Sequence, residues 1–373
     1  MAGIRGTFMA NLSFRLRPLA LALLAAVAAL APAQLISAVK TNSITKAAQD
    51  YMKANKIKGM CVVAGRNGTI VYTRGFGDAR EGFLTTPPVK ANGDTVFRLA
   101  SISKSVTAIV AMKLVEEGKL DISKNTRHYF GSLPNHHTHK VRHILSHMSG
   151  IRHYNASDIG AVISGQYNSM QSASQLFWND ALLFAPGKKS GYSTHAYTVL
   201  GAVMEIATGK QYRDLIQDRL NAAHGISTLK VEDRSKANSK RSDIFEVIGG
   251  IIVRMPVADN TSWKSPGGGL EASGNDLCRL GMKLLRNQIL TKATKDRMFV
   301  RESLNDGTVT DYALGWPMSR HLGQWVASHT GRQPGAENVW RLYLESGLVV
   351  VVLSNTVGHS PNTLARSVAD IVL

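Results

Sequence analysis

Only two of the 373 residues are cysteine, Cys61 and Cys278, and their spacing matches neither a disulfide framework nor a zinc-ligand pattern. Acidic residues are also few: 26 Asp+Glu stand against 44 Lys+Arg, a formal charge of +18. That surplus suits an anionic surrounding such as nucleic acid, anionic lipid or cell-wall polymer, and is equally compatible with a basic surface that has no charged partner. The basic residues are dispersed and are not interleaved with aromatics, which argues against nucleic-acid binding. Internal repeats are absent. With 44% hydrophobic residues, the chain can bury a large core, and disorder is excluded.

A long apolar run is lacking as well. The one candidate, over 19–31, falls short of the ~20 residues of a comfortable membrane span. Arg5, Arg15 and Arg17 precede it, no acid occurs before Gln34, and Ala31-Pro32-Ala33 offers small residues for cleavage. This is the layout of a secretory signal peptide over 1–33, cut after Ala33, and it predicts a secreted or periplasmic protein. An uncleaved anchor or an Arg-rich mitochondrial presequence are the alternatives; a membrane would be engaged only through an uncleaved leader. Removal of the leader leaves 41 basic residues against 26 acidic ones. An oxidising compartment would permit a Cys61–Cys278 bridge, with two buried thiols as the alternative.

The rest of the chain reads as alternating blocks. Residues 43–56 form an amphipathic helical pattern. The apolar stretches 60–64 and 69–72 flank Asn67-Gly68, predicting a hairpin over 59–73. A helix is predicted over 101–117, with Val106, Ile109, Val110, Met112, Leu114 and Val115 on its apolar positions and Gly118 as its stop. Mostly helical periods follow over 119–300, among them 196–207, closed by Gly209, and 275–286. The charged stretch 230–241 reads as a solvated loop. Strands return at 324–329, 340–345 and 348–353, the last two paired around Ser346-Gly347, before a helix over 362–373. This order predicts an α+β fold: an antiparallel sheet shared by the first and last strands and flanked by helices, plus a mostly helical region.

Ser101-Ile-Ser-Lys104 opens the helix over 101–117. A serine hydroxyl is a poor nucleophile until a base takes its proton. A lysine three residues on shares its helix face, and the helix N-terminus offers backbone N–H groups to a developing oxyanion. Alone, the same four residues also fit a helix cap with a solvated lysine. Their context decides the matter. Val96-Phe-Arg-Leu-Ala-Ser101-Ile-Ser-Lys104-Ser-Val-Thr107 resembles the serine β-lactamase and penicillin-binding protein superfamily, in its class C β-lactamase, DD-peptidase and esterase branch. The resemblance continues, in family order, through Arg142-His-Ile-Leu-Ser-His147-Met-Ser-Gly, Pro186-Gly187, Tyr192-Ser193-Thr194, Gly268-Gly269-Leu270, Leu314-Gly315-Trp316, His329-Thr330-Gly331 and Pro334-Gly335. It covers about residues 45–373 and implies one hydrolase domain over 34–373 with the superfamily's fold.

The resemblance implies roles. Ser101 would be acylated, with Lys104 and Tyr192 sharing the proton transfers. Tyr192 matches the tyrosine of the family's Y-x-N motif, and Lys104 with His329 would favour its phenolate. His329-Thr330-Gly331 stands at the K-T-G position, where a titrating imidazole would hold a substrate carboxylate less firmly than lysine. Arg332 would contribute the second oxyanion N–H from its backbone; its side chain is either an extra cation beside the cleft or plain surface. Thr194 replaces the family's substrate-contacting Asn, with N-capping of the next helix as its other reading. These departures weaken β-lactamase activity. They leave a DD-carboxypeptidase-like or esterase-like hydrolase acting on a small peptide or ester, with peptidoglycan stem peptides as one candidate. The rivals are a β-lactamase proper and a non-catalytic penicillin-binding or structural member of the fold.

Seven of the twelve histidines fall between His128 and His153. His139, His143 and His147 have helical spacing, yet no closed ligand set with carboxylate or thiolate accompanies them, so no metal is expected. No organic cofactor is implied.

Overall fold

Asn67 and Gly68 both take positive φ (53° and 87°), the conformation a two-residue hairpin turn requires. They join β1 (Gly59–Arg66) to β2 (Thr69–Arg80). The computed structural model describes residues 36–82, 84–162, 165–255 and 259–373, without the side chains of 161 and 162; the expected leader over 1–33 lies outside the described residues. Between β2 and the helical region lie β3 (Val89–Lys90) and β4 (Val96–Arg98). Late in the chain come β9 (Met318–His321), β10 (Gln324–Gln333), β11 (Ala336–Tyr343) and β12 (Leu348–Ser354).

The main sheet has the order β3-β2-β1-β12-β11-β10-β9, all antiparallel. First and last strands meet at its centre, with Met60 opposite Ser354 and Arg66 opposite Leu348. β12 is Leu-Val-Val-Val-Val-Leu-Ser and buried throughout, as expected of a strand covered on both faces. Side-chain alternation sends Val350 and Val352 to one face, against α1 (Ala38–Ala54) and the C-terminal helix Pro361–Val372. Val349, Val351 and Leu353 go to the other face, into the larger core. Cys61 and Cys278 lie in that core as separate thiols, and burial pushes Cys61 up to about 12.

α2 (Ile102–Glu116) is the central helix of that larger core. It is buried on nearly every side, so its sequence shows no polar stripe. Against it pack α6 (Thr194–Thr208) and α7 (Tyr212–Ile216), which continues into a π turn at Gln217–Ala222, while α3 (Val141–Leu145) and α5 (Met170–Ser174) pack on α6, with α4 (Ala156–Val162) between those two in the chain. After β5 (Lys230–Val231), the β6 (Phe245–Ile248) and β7 (Ile251–Arg254) hairpin, α8 (Ser265–Gly268) and β8 (Leu270–Ser273) follow. α9 (Gly274–Leu285), α10 (Lys292–Met298) and α11 (Pro361–Val372) complete the set. A small sheet, β4-β8-β5, joins the start of α2 to the segment after α7. No helix among the described residues is long and apolar enough to cross a membrane.

Two expectations change. The stretch 230–241 is not a solvated loop: β5 pairs with β8, Glu232 is buried, and Arg241 bonds buried Glu271 at 2.7 Å. Glu232, Arg234 and Arg241 are engaged with buried groups, while Lys230, Lys236 and Lys240 stay exposed. His139, His143 and His147 do not share a helix, because α3 spans only Val141–Leu145 and His147 takes φ 59°.

Candidate active site

The chain reaches Ser101 through a constrained turn. Ala100 has φ 49°, a left-handed conformation that costs a residue with a Cβ roughly 1–2 kcal/mol. Ser101 already has helical φ and ψ (−64°, −10°), and its side chain makes no capping bond. Its Oγ is therefore available to Lys104, whose Nζ lies 3.2 Å away. The reading of these two as a cap with a solvated lysine is excluded, since Lys104 is 0% exposed.

Lys104 Nζ has two more partners, Thr194 Oγ1 at 2.9 Å and the Gly267 carbonyl at 2.6 Å. The carbonyl can only accept, and either hydroxyl can donate or accept. A neutral amine is thus fully satisfied: two N–H donated, and one lone pair facing Ser101. Burial lowers the Lys104 pKa well below the ordinary lysine value, and the nearby Lys264 lowers it further. No carboxylate offsets this.

Thr194 is 2% exposed and spends its hydroxyl on Lys104, so the substrate contact expected of it is replaced by an internal one. Nor is it the cap of α6. That is Ser193, whose Oγ accepts the Ala196 N–H at 3.0 Å. The Tyr192 ring lies 4.7 Å from Lys104 Nζ and 4.4 Å from the His147 ring. Tyr192 is 42% exposed. Burial raises its pKa and the Ser101 hydrogen bond only partly opposes this. The expected phenolate is corrected accordingly: of the two cations invoked to stabilise it, His329 is neutral and Lys104 has its pKa lowered by burial.

His329 is the second of these. It is buried, its Nδ1–H donates to the Thr330 carbonyl at 2.6 Å, and its Nε2 accepts from Tyr312 Oη at 2.9 Å. Burial, with Lys104 nearby, takes its pKa down to about 3. The imidazole braces β10 from inside and does not act as a titrating carboxylate anchor. Alternation along β10 places Thr330 and Arg332 on the opposite, exposed side. Arg332 is 72% exposed, with its Nε 3.6 Å from Glu337.

The backbone of β10 completes the cleft edge. β9 pairs only with Gln324–Ala327, and the Ser328 N–H donates to Pro317 on the β9 side. Period two puts the Thr330 and Arg332 N–H groups on that same side, beyond the end of β9. Gly331 lies against the segment leading to Ser101: a Cβ there would be 2.2 Å from the Leu99 carbonyl. Glycine is required by this approach.

Several contributors escaped sequence reasoning. His147 Nδ1 accepts the Ser193 N–H at 3.2 Å, and its ring packs on Tyr197 and Tyr312 as well as Tyr192. Burial lowers the His147 pKa well below 6.5, with Lys104 next in effect. Tyr197 lies three residues after Thr194 on α6, a helical spacing that could have flagged it. Behind Ser101, buried Arg98 bonds Glu232 at 3.0 Å, Asp259 at 2.7 Å and the Pro334 carbonyl at 2.6 Å. Asp259 in turn pairs with Lys264 at 3.3 Å. No set of three or more His, Cys, Asp or Glu among the described residues is arranged to hold a metal ion.

The chain is 27% identical to "Penicillin-binding protein 4*" of Bacillus subtilis over 310 residues, 79% of this chain and 67% of that protein. It is 26% identical to the human "Serine beta-lactamase-like protein LACTB, mitochondrial" over 61% of this chain, spanning about half (53%) of that relative's length. Among solved structures, the D-amino acid amidase of Ochrobactrum anthropi SV3 with D-phenylalanine superposes with a TM-score of 0.76, at 19% identity, over 90% of this chain and 99% of that one, a likeness of fold. The sequence profile of the Beta-lactamase family matches residues 44–373. The chain belongs to the Beta-lactamase family, as a serine hydrolase on the fold of the penicillin-binding proteins.

Proposed function

We propose that the protein hydrolyses a small peptide or ester through an acyl-enzyme on Ser101, in the manner of a DD-carboxypeptidase or esterase, after secretion or export to the periplasm. The observation that carries this reading is the Lys104 amine: buried, without a carboxylate, and 3.2 Å from Ser101 Oγ. In its neutral form Lys104 takes the Ser101 proton as Oγ attacks the substrate carbonyl. The resulting ammonium has acceptors in Thr194 and Gly267. The oxyanion is received by the Ser101 and Arg332 N–H groups, a type of donor pair worth about 3–4 kcal/mol per member in the transition state. Tyr192, protonated, relays a proton from Lys104 to the leaving group, and water then releases the acyl group.

The substrate end beside β10 is read by Thr330 and Arg332. An exposed guanidinium there favours a leaving group that ends in a carboxylate, such as the terminal D-alanine of a stem peptide. The name of the Bacillus relative supports a penicillin-recognising site.

The test is a time course of intact mass after mixing with benzylpenicillin, with Ser101→Ala beside it, followed by an assay of D-alanine release from a stem-peptide mimic. A Ser101-dependent adduct together with D-alanine release is expected. An adduct with no D-alanine release and rapid ester turnover would move the assignment to an esterase. Stable acylation without turnover of any substrate would mark a non-catalytic penicillin-binding member.

A further inference from the structure

The hairpin of β6 and β7 carries no polar side chain over its central residues, Val247-Ile-Gly-Gly-Ile-Ile-Val253. Gly249 and Gly250 turn it with positive φ (58° and 82°). Alternation divides its side chains between two faces. On one face Phe245 is buried, with its N–H on the Asn355 carbonyl just past β12 (2.8 Å), and Val247 and Ile252 are half-buried. On the other face Ile248, Ile251 and Val253 are 54%, 70% and 37% exposed. Among the described residues β7 pairs with β6 alone, so its outer edge is bare. Soluble proteins blunt such an edge with charge, proline or a cover. Between Ile251 and Val253 this one has no charge and no proline.

The surrounding charges are sorted by position. At the base they cancel: Arg254 pairs with Asp243 at 2.9 Å, and Lys58 lies 3.5 Å from both Asp78 and Glu81. Toward the tip they do not. Lys56 is exposed and places its Nζ 3.1 Å from the Gly250 carbonyl, and exposed Lys53 stands in the last turn of α1 just before it. Against these two cations stands Glu246, opposite Val253 and one strand pair further from the tip than Val247 and Ile252. The turn is thus an aliphatic tip with lysine beside it, on a chain of formal charge +18.

We propose that this hairpin is a membrane-docking element, which lays Ile248 and Ile251 into the interface of an anionic lipid bilayer while Lys56 and Lys53 meet its phosphates. Apolar burial and attraction to anionic headgroups add in such a contact. A second copy of the chain suits the tip less well. Antiparallel pairing through β7 would set the Lys56 end of each copy against the Arg254 end of the other, like charge against like. The only membrane contact expected from the sequence is an uncleaved leader, and the hairpin is separate from it. The proposal does not depend on the chemistry assigned to Ser101.

The experiment uses the full chain with Ile251→Cys carrying an environment-sensitive nitrobenzoxadiazole label; Cys61 and Cys278 are buried and stay unlabelled. It is titrated with vesicles of phosphatidylcholine alone and of phosphatidylcholine mixed with phosphatidylglycerol. The label is expected to brighten with the anionic vesicles, at an affinity about tenfold above that for the neutral ones. The same label on Lys119→Cys, in the turn after α2, should not respond. Ile248→Ser combined with Ile251→Ser, in the unlabelled chain, should weaken vesicle sedimentation about tenfold, and Lys56→Glu should remove most of the preference for anionic lipid. These side chains are exposed, so the variants keep the fold, which circular dichroism checks. A label that stays dark while the serine variant sediments as well as the native chain would give all binding to the leader and overturn the proposal. Brightening that needs no vesicle and grows with protein concentration would give the face to a second copy and overturn it equally.

Discussion

Arg98 and Lys104 lie on either side of Ser101, both with buried side chains, and their fates are opposite. Burial alone would lower the pKa of each. Around Arg98 two carboxylates, Glu232 and Asp259, outweigh that cost, and its pKa rises. Around Lys104 the partners are two hydroxyls and a carbonyl, and the nearest charge is the like-signed Lys264. Its pKa falls, the direction that the proposed role as a base needs. Six residues apart, one cationic side chain ties the sheet edge and β4 together while the other is buried beside Ser101 without a counter-charge. Desolvation sets the size of the effect; the neighbours set its sign.

The comparison breaks most visibly at Lys104. Lys104→Met removes the base and is expected to lower kcat by about 10³-fold, within the usual 10²–10⁴ range for general base catalysis. The acylation rate of the native protein should rise with pH, with a midpoint well below the ordinary lysine value of 10.5. An unchanged rate in Lys104→Met, measured with an activated ester, would remove the amine from the mechanism. The counterpart is Arg98→Met. It leaves Glu232 and Asp259 without their shared cation and should cost about 3–5 kcal/mol of stability, read from urea unfolding. Arg98→Met combined with Glu232→Gln should recover part of that loss, whereas two independent sites would simply add.

Several histidines follow the Lys104 pattern, being buried with too little nearby acid to offset it; Glu302 only partly opposes the shift of His143. His139 is lowered to about 3 by burial with His137 next, His143 to about 4 by burial and Arg142, and His329 to about 3. They are neutral in the folded protein at pH 7, while the unfolded chain protonates near 6.5. Below pH 6.5 the unfolded state therefore binds more protons, and stability falls as pH drops from about 6.5 toward 4. Each such histidine contributes a slope of up to about 1.4 kcal/mol per pH unit. The expected outcome is a steep fall in Tm between pH 6.5 and 4 by scanning calorimetry. His139→Gln should flatten it if the residue remains accommodated by Thr126, whose Oγ1 lies 3.0 Å from His139 Nδ1.

The sequence disclosed the parts of this molecule that obey local rules. Asn67-Gly68 could only turn a hairpin, the valine run of β12 could only be a covered strand, and Gly209, at φ 68°, had to close α6. Ser101 and Lys104 were legible because three residues on a helix place two side chains together. Hidden were the relations between distant segments. Glu232 and Arg241 look like part of a solvated charge run until β5 pairs with β8 and Arg98 arrives from the other side. Thr194 looked substrate-facing because nothing local shows that Lys104 reaches its hydroxyl. His329 looked like a titrating anchor because its inward partner, Tyr312, is 17 residues away.

The finest distinction is between the two sides of β10. His329 points inward and neutral, and Arg332 points outward and charged, three residues along the same strand. If the outward cation reads the substrate, Arg332→Ala should raise KM about tenfold, near 1.4 kcal/mol, for a stem-peptide mimic with a free terminal carboxylate. The same substitution should leave KM for the corresponding amide or methyl ester within about twofold, and kcat little changed in both cases, because the backbone N–H assigned to the oxyanion remains. His329→Gln supplies the contrast. It keeps a buried hydrogen-bonding group beside Tyr312 and should change kcat for charged and neutral substrates alike, since it alters the brace behind the strand. A carboxylate preference that followed His329 and ignored Arg332 would reverse the assignment of the two faces.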